Sequence, residues 1–149
     1  MISLKIRTTV DIPTSAAAAW QVFGEEFATW DSWAPGIDTS TLEGPLAQGV
    51  VRENVTPSLG TVRQTLTKFD RDERALAYEM IEGLPPFLGE LRNDWKLEAV
   101  TPELSRLSGE AIFGIRDAAA PKASMIEQKM TQTLNGFAAA FRSRMTNGA

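Results

Sequence analysis

The chain has 149 residues, 43% of them hydrophobic and 23% charged, with a formal net charge of −4. That balance belongs to a globular chain with a real core, and the length suits one domain over residues 1–149. Cysteine and histidine are both absent, which excludes disulfides, thiol nucleophiles, imidazole bases and the usual transition-metal ligands, while the acidic balance argues against nucleic acid as a partner.

Any chemistry must therefore run on carboxylates, Arg, Lys, Tyr or bound water, and neither a metal nor a cofactor is expected. No apolar stretch approaches the ~18 residues needed to span a bilayer, so no membrane insertion is expected. No basic region followed by an apolar run opens the sequence, and the default expectation for location is cytoplasmic.

Residues 2–12 alternate. Ile2, Leu4, Ile6, Val10 and Ile12 share one face, and Ser3, Lys5, Arg7, Thr9 and Asp11 share the other. This predicts a half-buried strand. Pro13, Thr14 and Ser15 supply a break and a helix cap. From there the period changes, with Ala16, Ala19, Trp20, Phe23 and Phe27 at helical spacing. The stretch FATWDSWAPGI, residues 27–37, then places Trp30 and Trp33 three residues apart on a further short helical turn that Pro35 ends. Trp30 reads as a core plug. Trp33, beside the Pro-Gly break, reads as an edge residue within reach of a ligand, so this segment is expected to form one rim of a cavity.

Six more strands are predicted, at about 38–44, 49–56, 60–69, 74–82, 90–100 and 104–115. Short turn sequences separate them, which indicates an antiparallel meander. In the stretch 90–100, Leu91, Asn93, Trp95, Leu97 and Ala99 oppose Arg92, Asp94, Lys96 and Glu98, so one face is solvated and the other covered. The cover is the last segment. Ile126, Met130, Leu134, Phe137, Phe141 and Met145 form an apolar stripe at spacings of three and four, a long amphipathic helix. The order predicts an α+β fold: two short helices after the first strand, and a curved antiparallel sheet of about seven strands around a long C-terminal helix. A curved sheet cannot lie flat on one helix, so a cavity between them is expected.

Particular residues carry a family resemblance: Trp20 and Phe23-Gly24, WAPGI at 33–37, LEG at 42–44, GVVR at 49–52, VRQTLTKFD at 62–70 and AYEMIEGLP at 77–85. With these the chain resembles the helix-grip superfamily of START lipid-transfer domains, pollen-allergen-like proteins and bacterial polyketide cyclases (SRPBCC). It is most similar to the bacterial polyketide cyclase/dehydrase-like group. The resemblance runs nearly end to end. It implies the fold, while the superfamily spans carriers, receptors and cyclases. In one respect the chain departs from the group. Where similar proteins often carry Glu facing an Arg, this chain has Gln64 facing Arg52, which leaves the guanidinium without a carboxylate and free to hold an acidic or enolate group.

The alternation of Val50, Arg52 and Asn54 against Val51, Glu53 and Val55 leaves the direction of Arg52 open; the inward reading rests partly on the resemblance. Tyr78 shares a face with Leu76 and Met80 and serves either as a structural hydrogen-bonding group or as a weak acid. Arg52 and Tyr78 are thus the candidate catalytic residues. Trp95, Asn93 and Phe113 fall on covered faces, as cavity wall or plain core. With Trp33, Gln64, Met130, Leu134 and Phe137 they complete the candidate ligand-binding set. Two functions compete: binding of a small, mostly apolar ligand (aromatic, polyketide-like or acidic), and a cyclase or dehydratase chemistry in the same cavity. A third reading is an interaction module with a vestigial cavity.

Overall fold

The computed structural model describes residues 1–147. Strand β1 (Ile2–Ile12) buries Ile6, Thr8 and Ile12 on one face. Helix α1 (Ala16–Trp20) starts where the Ser15 hydroxyl accepts from the Ala18 backbone N–H at 3.1 Å, satisfying one of the orphan donors of a helix start. The helix does not continue as the period suggests. It widens into a π turn over Gln21–Glu25, where the Glu26 N–H reaches the Gln21 carbonyl at 3.0 Å, and then tightens into 3₁₀ turns over Phe27–Ser32. All five apolar residues of the helical pattern, Ala16, Ala19, Trp20, Phe23 and Phe27, are nonetheless buried.

Strands β2 (Thr39–Leu42), β3 (Val51–Thr56), β4 (Gly60–Asp70), β5 (Ala75–Glu82), β6 (Leu88–Thr101) and β7 (Leu104–Ile115) follow. With β1 they form one antiparallel sheet in the order β1-β7-β6-β5-β4-β3-β2. The meander thus runs backwards across the sheet and closes on β1. The expected strand bounds stand to within two or three residues.

The outer face is a charge lattice. Arg7 reaches Glu110 at 2.8 Å, Arg106 reaches Asp11 at 2.8 Å, and Arg63 reaches Glu43 at 2.7 Å. The inner face is largely apolar, with buried polar side chains at Thr8, Arg52, Asn54, Gln64 and Ser105 and with Tyr78 and Asn93 beside the cavity. An extra residue, Thr67, in β4 breaks strict alternation: Leu66 pairs with Tyr78 but Lys68 pairs with Ala77. This bulge returns Phe69 to the inner face, where its ring meets Trp20 at 5.5 Å. Helix α2 (Ala123–Asn147), entered through a 3₁₀ turn at Asp117–Lys122, buries Ile126, Leu134, Ala138 and Phe141. It packs on β1 and β7, and α1 packs on β6 and β7.

Candidate functional site

Because α2 rests on one end of the sheet, the inner faces of β3, β4 and β5 curl away from it. The gap is a cavity of about 790 Å³, within the range of small-molecule sites. Val62, Met80, Leu91, Trp95 and Ala111 form the sheet wall, and Met130, Leu134 and Phe137 the helix wall. Its rim comes from three connections: Pro35, Gly36 and Ile37; Ser58 and Leu59; and Pro85 and Phe87. A polar band crosses the sheet wall, made of Asn54, Gln64, Tyr78 and Asn93. Tyr78 lies directly opposite Asn93 and diagonal to Gln64, which pairs with Met80. Lys129 carries the one charge among the described lining residues.

Arg52 sits behind this band. It is 1% exposed and does not line the cavity. Its Nε and Nη2 donate to Gln64 Oε1 at 3.1 and 2.7 Å, and its Nη1 donates to the Phe27 carbonyl at 3.0 Å. The guanidinium carbon lies 3.7 Å from the centre of the Phe27 ring, 4.4 Å from Trp30 and 5.2 Å from Tyr78. Burial pulls its pKa down to about 10, so it is still a cation at neutral pH. Burial likewise pushes the Tyr78 hydroxyl up, keeping it protonated, against the opposing pull of Arg52. Tyr78 Oη accepts from Trp95 Nε1 at 3.1 Å.

The structure brings Gln64, Tyr78, Asn93, Trp95, Met130, Leu134 and Phe137 around one cavity and leaves Trp33, Arg52 and Phe113 outside it. Arg52 faces inward, but three of its N–H groups are already committed, so it is not free to grip a ligand carboxylate. Trp33 packs against Phe23, Trp30 and Phe141, with ring centres at 5.9, 5.0 and 5.2 Å. The 3₁₀ winding explains this: at three residues per turn Trp30 and Trp33 fall on the same side, and that side is the core. The rim role of the segment passes to Pro35, Gly36 and Ile37, just beyond the tryptophans. Phe113 is fully buried in β7, next to the edge strand β1, between Leu4 and Leu91. Asn54 escaped the sequence reading although it shares the face of Arg52. The rim residues of the other two loops, Ser58, Leu59, Pro85 and Phe87, carry no periodic signal that could have marked them.

The sequence pattern of the family described as polyketide cyclase / dehydrase and lipid transport matches residues 3–142. A comparison with curated proteins finds no match. Among solved structures, a START superfamily protein from Mycobacterium smegmatis superposes with a TM-score of 0.79 at 14% identity, covering 97% of this chain and 99% of that one. Norcoclaurine synthase from Thalictrum flavum, in complex with dopamine and hydroxybenzaldehyde, gives 0.78 at 15% identity, covering 99% and 89%. The Zhui aromatase/cyclase from Streptomyces sp. R1128 gives 0.69 at 18% identity, covering 96% of each chain. At these identities the likeness is one of fold.

Proposed function

Since the chain belongs to the polyketide cyclase / dehydrase and lipid transport family, we propose that it binds a small, mostly apolar, ring-bearing molecule between the sheet and α2. The observation that carries this reading is the cavity itself. It is large enough for such a ligand, its walls are Trp95, Phe137, Met130, Leu134 and their apolar neighbours, and one polar band can orient what enters. Aromatic ligands and activities in proteins of like fold support the ring-bearing class. A ligand carboxylate would have Lys129 at the rim as its cationic partner. The contacts we assign to the ligand are Gln64, Tyr78, Asn93, Trp95, Met130, Leu134 and Phe137.

The test is fluorescence titration with a neutral polarity-sensitive dye such as Nile red. It should saturate at about one dye per chain, as one cavity requires, and aromatic ketones should displace it. No saturable binding to folded protein would remove the reading. A second reading, chemistry of the cyclase or dehydratase type, is favoured by one feature: a buried cation, Arg52, beside the Tyr78 hydroxyl. Charge of that sign stabilises an oxygen that gains negative charge during reaction.

A further inference from the structure

Gln64 shows how the buried cation acts on the cavity. A guanidinium only donates hydrogen bonds, so the end of the Gln64 amide that meets Arg52 must be its oxygen. That oxygen takes two N–H groups of Arg52, at 3.1 and 2.7 Å, and one of Asn54 at 3.4 Å. The planar amide is thereby locked, and its NH₂ is turned away from Arg52. No acceptor among the described residues takes those hydrogens, although Gln64 is only 9% exposed and lines the cavity. The NH₂ therefore faces the cavity as an uncommitted donor, and a ligand acceptor there would take it up.

Tyr78 repeats the pattern. Its oxygen accepts from Trp95 Nε1, and no described residue accepts its own O–H. It is 5% exposed and lines the same cavity, diagonal to Gln64 on the sheet. Diagonal neighbours on one face are within reach of long side chains. The charged groups facing this spot are both positive: Arg52 from β3, behind the amide, and Lys129 from α2, at the rim. No carboxylate lines the cavity among the described residues, and none bonds to Arg52.

We infer that Gln64 Nε2–H and Tyr78 Oη–H form a two-donor subsite, polarised by Arg52, for an anionic oxygen on the ligand: a phenolate or enolate conjugated to a ring or carbonyl. Arg52 is a positioning residue here. It touches no ligand but orients the amide and supplies the field. The inference rests on the cavity-binding reading above and narrows its ligand class. It also replaces direct capture of an acid by Arg52 with relay through Gln64.

The probe is 6-cyano-2-naphthol, whose neutral and ionised forms absorb at different wavelengths, with its methyl ether as a control that cannot ionise. Bound to the wild-type protein, the naphthol should ionise at least about tenfold more readily than in free solution, because both donors and the cation favour its anion. Gln64→Leu should abolish most of that shift, with the ether titrated alongside to report how much cavity binding the variant keeps. Tyr78→Phe should remove part of it. Gln64→Glu should reverse it, since the new carboxylate pairs with Arg52 and repels the naphtholate. If Gln64→Leu fails to fold, Tyr78→Phe and Gln64→Glu decide the matter. Ionisation of the bound naphthol at its free-solution pH or above overturns the subsite, as does a shift that survives both Gln64 variants. If the ether binds but the naphthol shows no shift, the subsite falls and the cavity reading stands. If neither probe binds saturably, both fall.

Discussion

Arg52 owes its tolerance in the core to what surrounds it. Three N–H groups meet carbonyl oxygens, and its flat faces meet Phe27 and Trp30. Hydrogen bonds from a charged group and desolvated cation–π contacts together offset the several kcal/mol that burial of an ion costs. Trp95 depends on its neighbour in another way. It pairs directly with Gly109 across β6 and β7. A methyl group on Gly109 would stand 2.5 Å from Trp95 Cε3 and 2.8 Å from Cη2. The indole therefore lies flat on bare backbone, which holds its N–H against Tyr78. Gly109→Ala should push the ring out of place, costing about 1–3 kcal/mol as overpacking does and breaking the bond to Tyr78. A urea titration followed by tryptophan fluorescence checks this, and an unchanged midpoint would show that the ring can yield at no cost.

At the scale of elements, the segment between β1 and β2 differs most from its periodic reading. Apolar spacing over residues 16–27 fits one helix, yet a π turn sits at Gln21–Glu25. Within it Gly24 lies under the Trp20 ring, where a Cβ would come 2.6 Å from Trp20 Cδ2. The turn is also pinned from outside. Glu25 accepts from Arg71 Nε at 2.8 Å and from Trp20 Nε1 at 2.9 Å, so it ties the turn to the β4–β5 hairpin. The hydrogen bond from Arg71 lowers the Glu25 pKa below its ordinary 4.5. A carboxylate whose pKa is depressed on folding stabilises the fold above its unfolded pKa, and that gain is lost as pH falls through the folded value. Glu25→Gln should thus cost up to about 1 kcal/mol at pH 7, the modest figure reflecting the solvent-exposed partner. The gap between the two proteins should shrink below pH 4.5. Paired urea titrations at neutral and acidic pH measure it; a gap that widens in acid would contradict the assignment.

For the molecule as a whole, the cavity is a place where stability and binding pull apart. Apolar surface that faces an empty volume gains no packing. Gly136 shows this on α2. It lines the cavity, it lies inside a helix, and a Cβ added there would meet nothing within 4 Å. Gly136→Ala should therefore stabilise the protein by roughly 0.5–1 kcal/mol through helix propensity alone. Gly136→Leu should keep a stable fold while its larger side chain occupies the volume that the dye needs. Thermal unfolding paired with the Nile red titration separates the two effects. Dye affinity unchanged in Gly136→Leu would mean that the ligand sits elsewhere.

The amino-acid order was enough for the periodic parts. Alternation in β1 and β6 and the stripe Ile126 to Met145 each repeat a local rule, because one face of each element must be buried. The wall residues Trp95, Met130, Leu134 and Phe137 are legible for the same reason, since they sit on those faces. Three things lay beyond local periodicity. The winding of residues 21–32 depends on a ring over Gly24 and on a partner 46 residues away, which no local period records. Alternation leaves the facing of the polar side chains on β3 and β4 open, so the expectation that Arg52 meets Gln64 comes from the family resemblance, and cross-strand pairing sets the two together. One part of the rim, Pro35–Ile37, ends the segment expected to form it, but the other parts, at Leu59 and Phe87, lie in separate loops. These meet only because the sheet curls away from a helix seated at its far edge, and that curl is a property of seven paired strands rather than of any one of them.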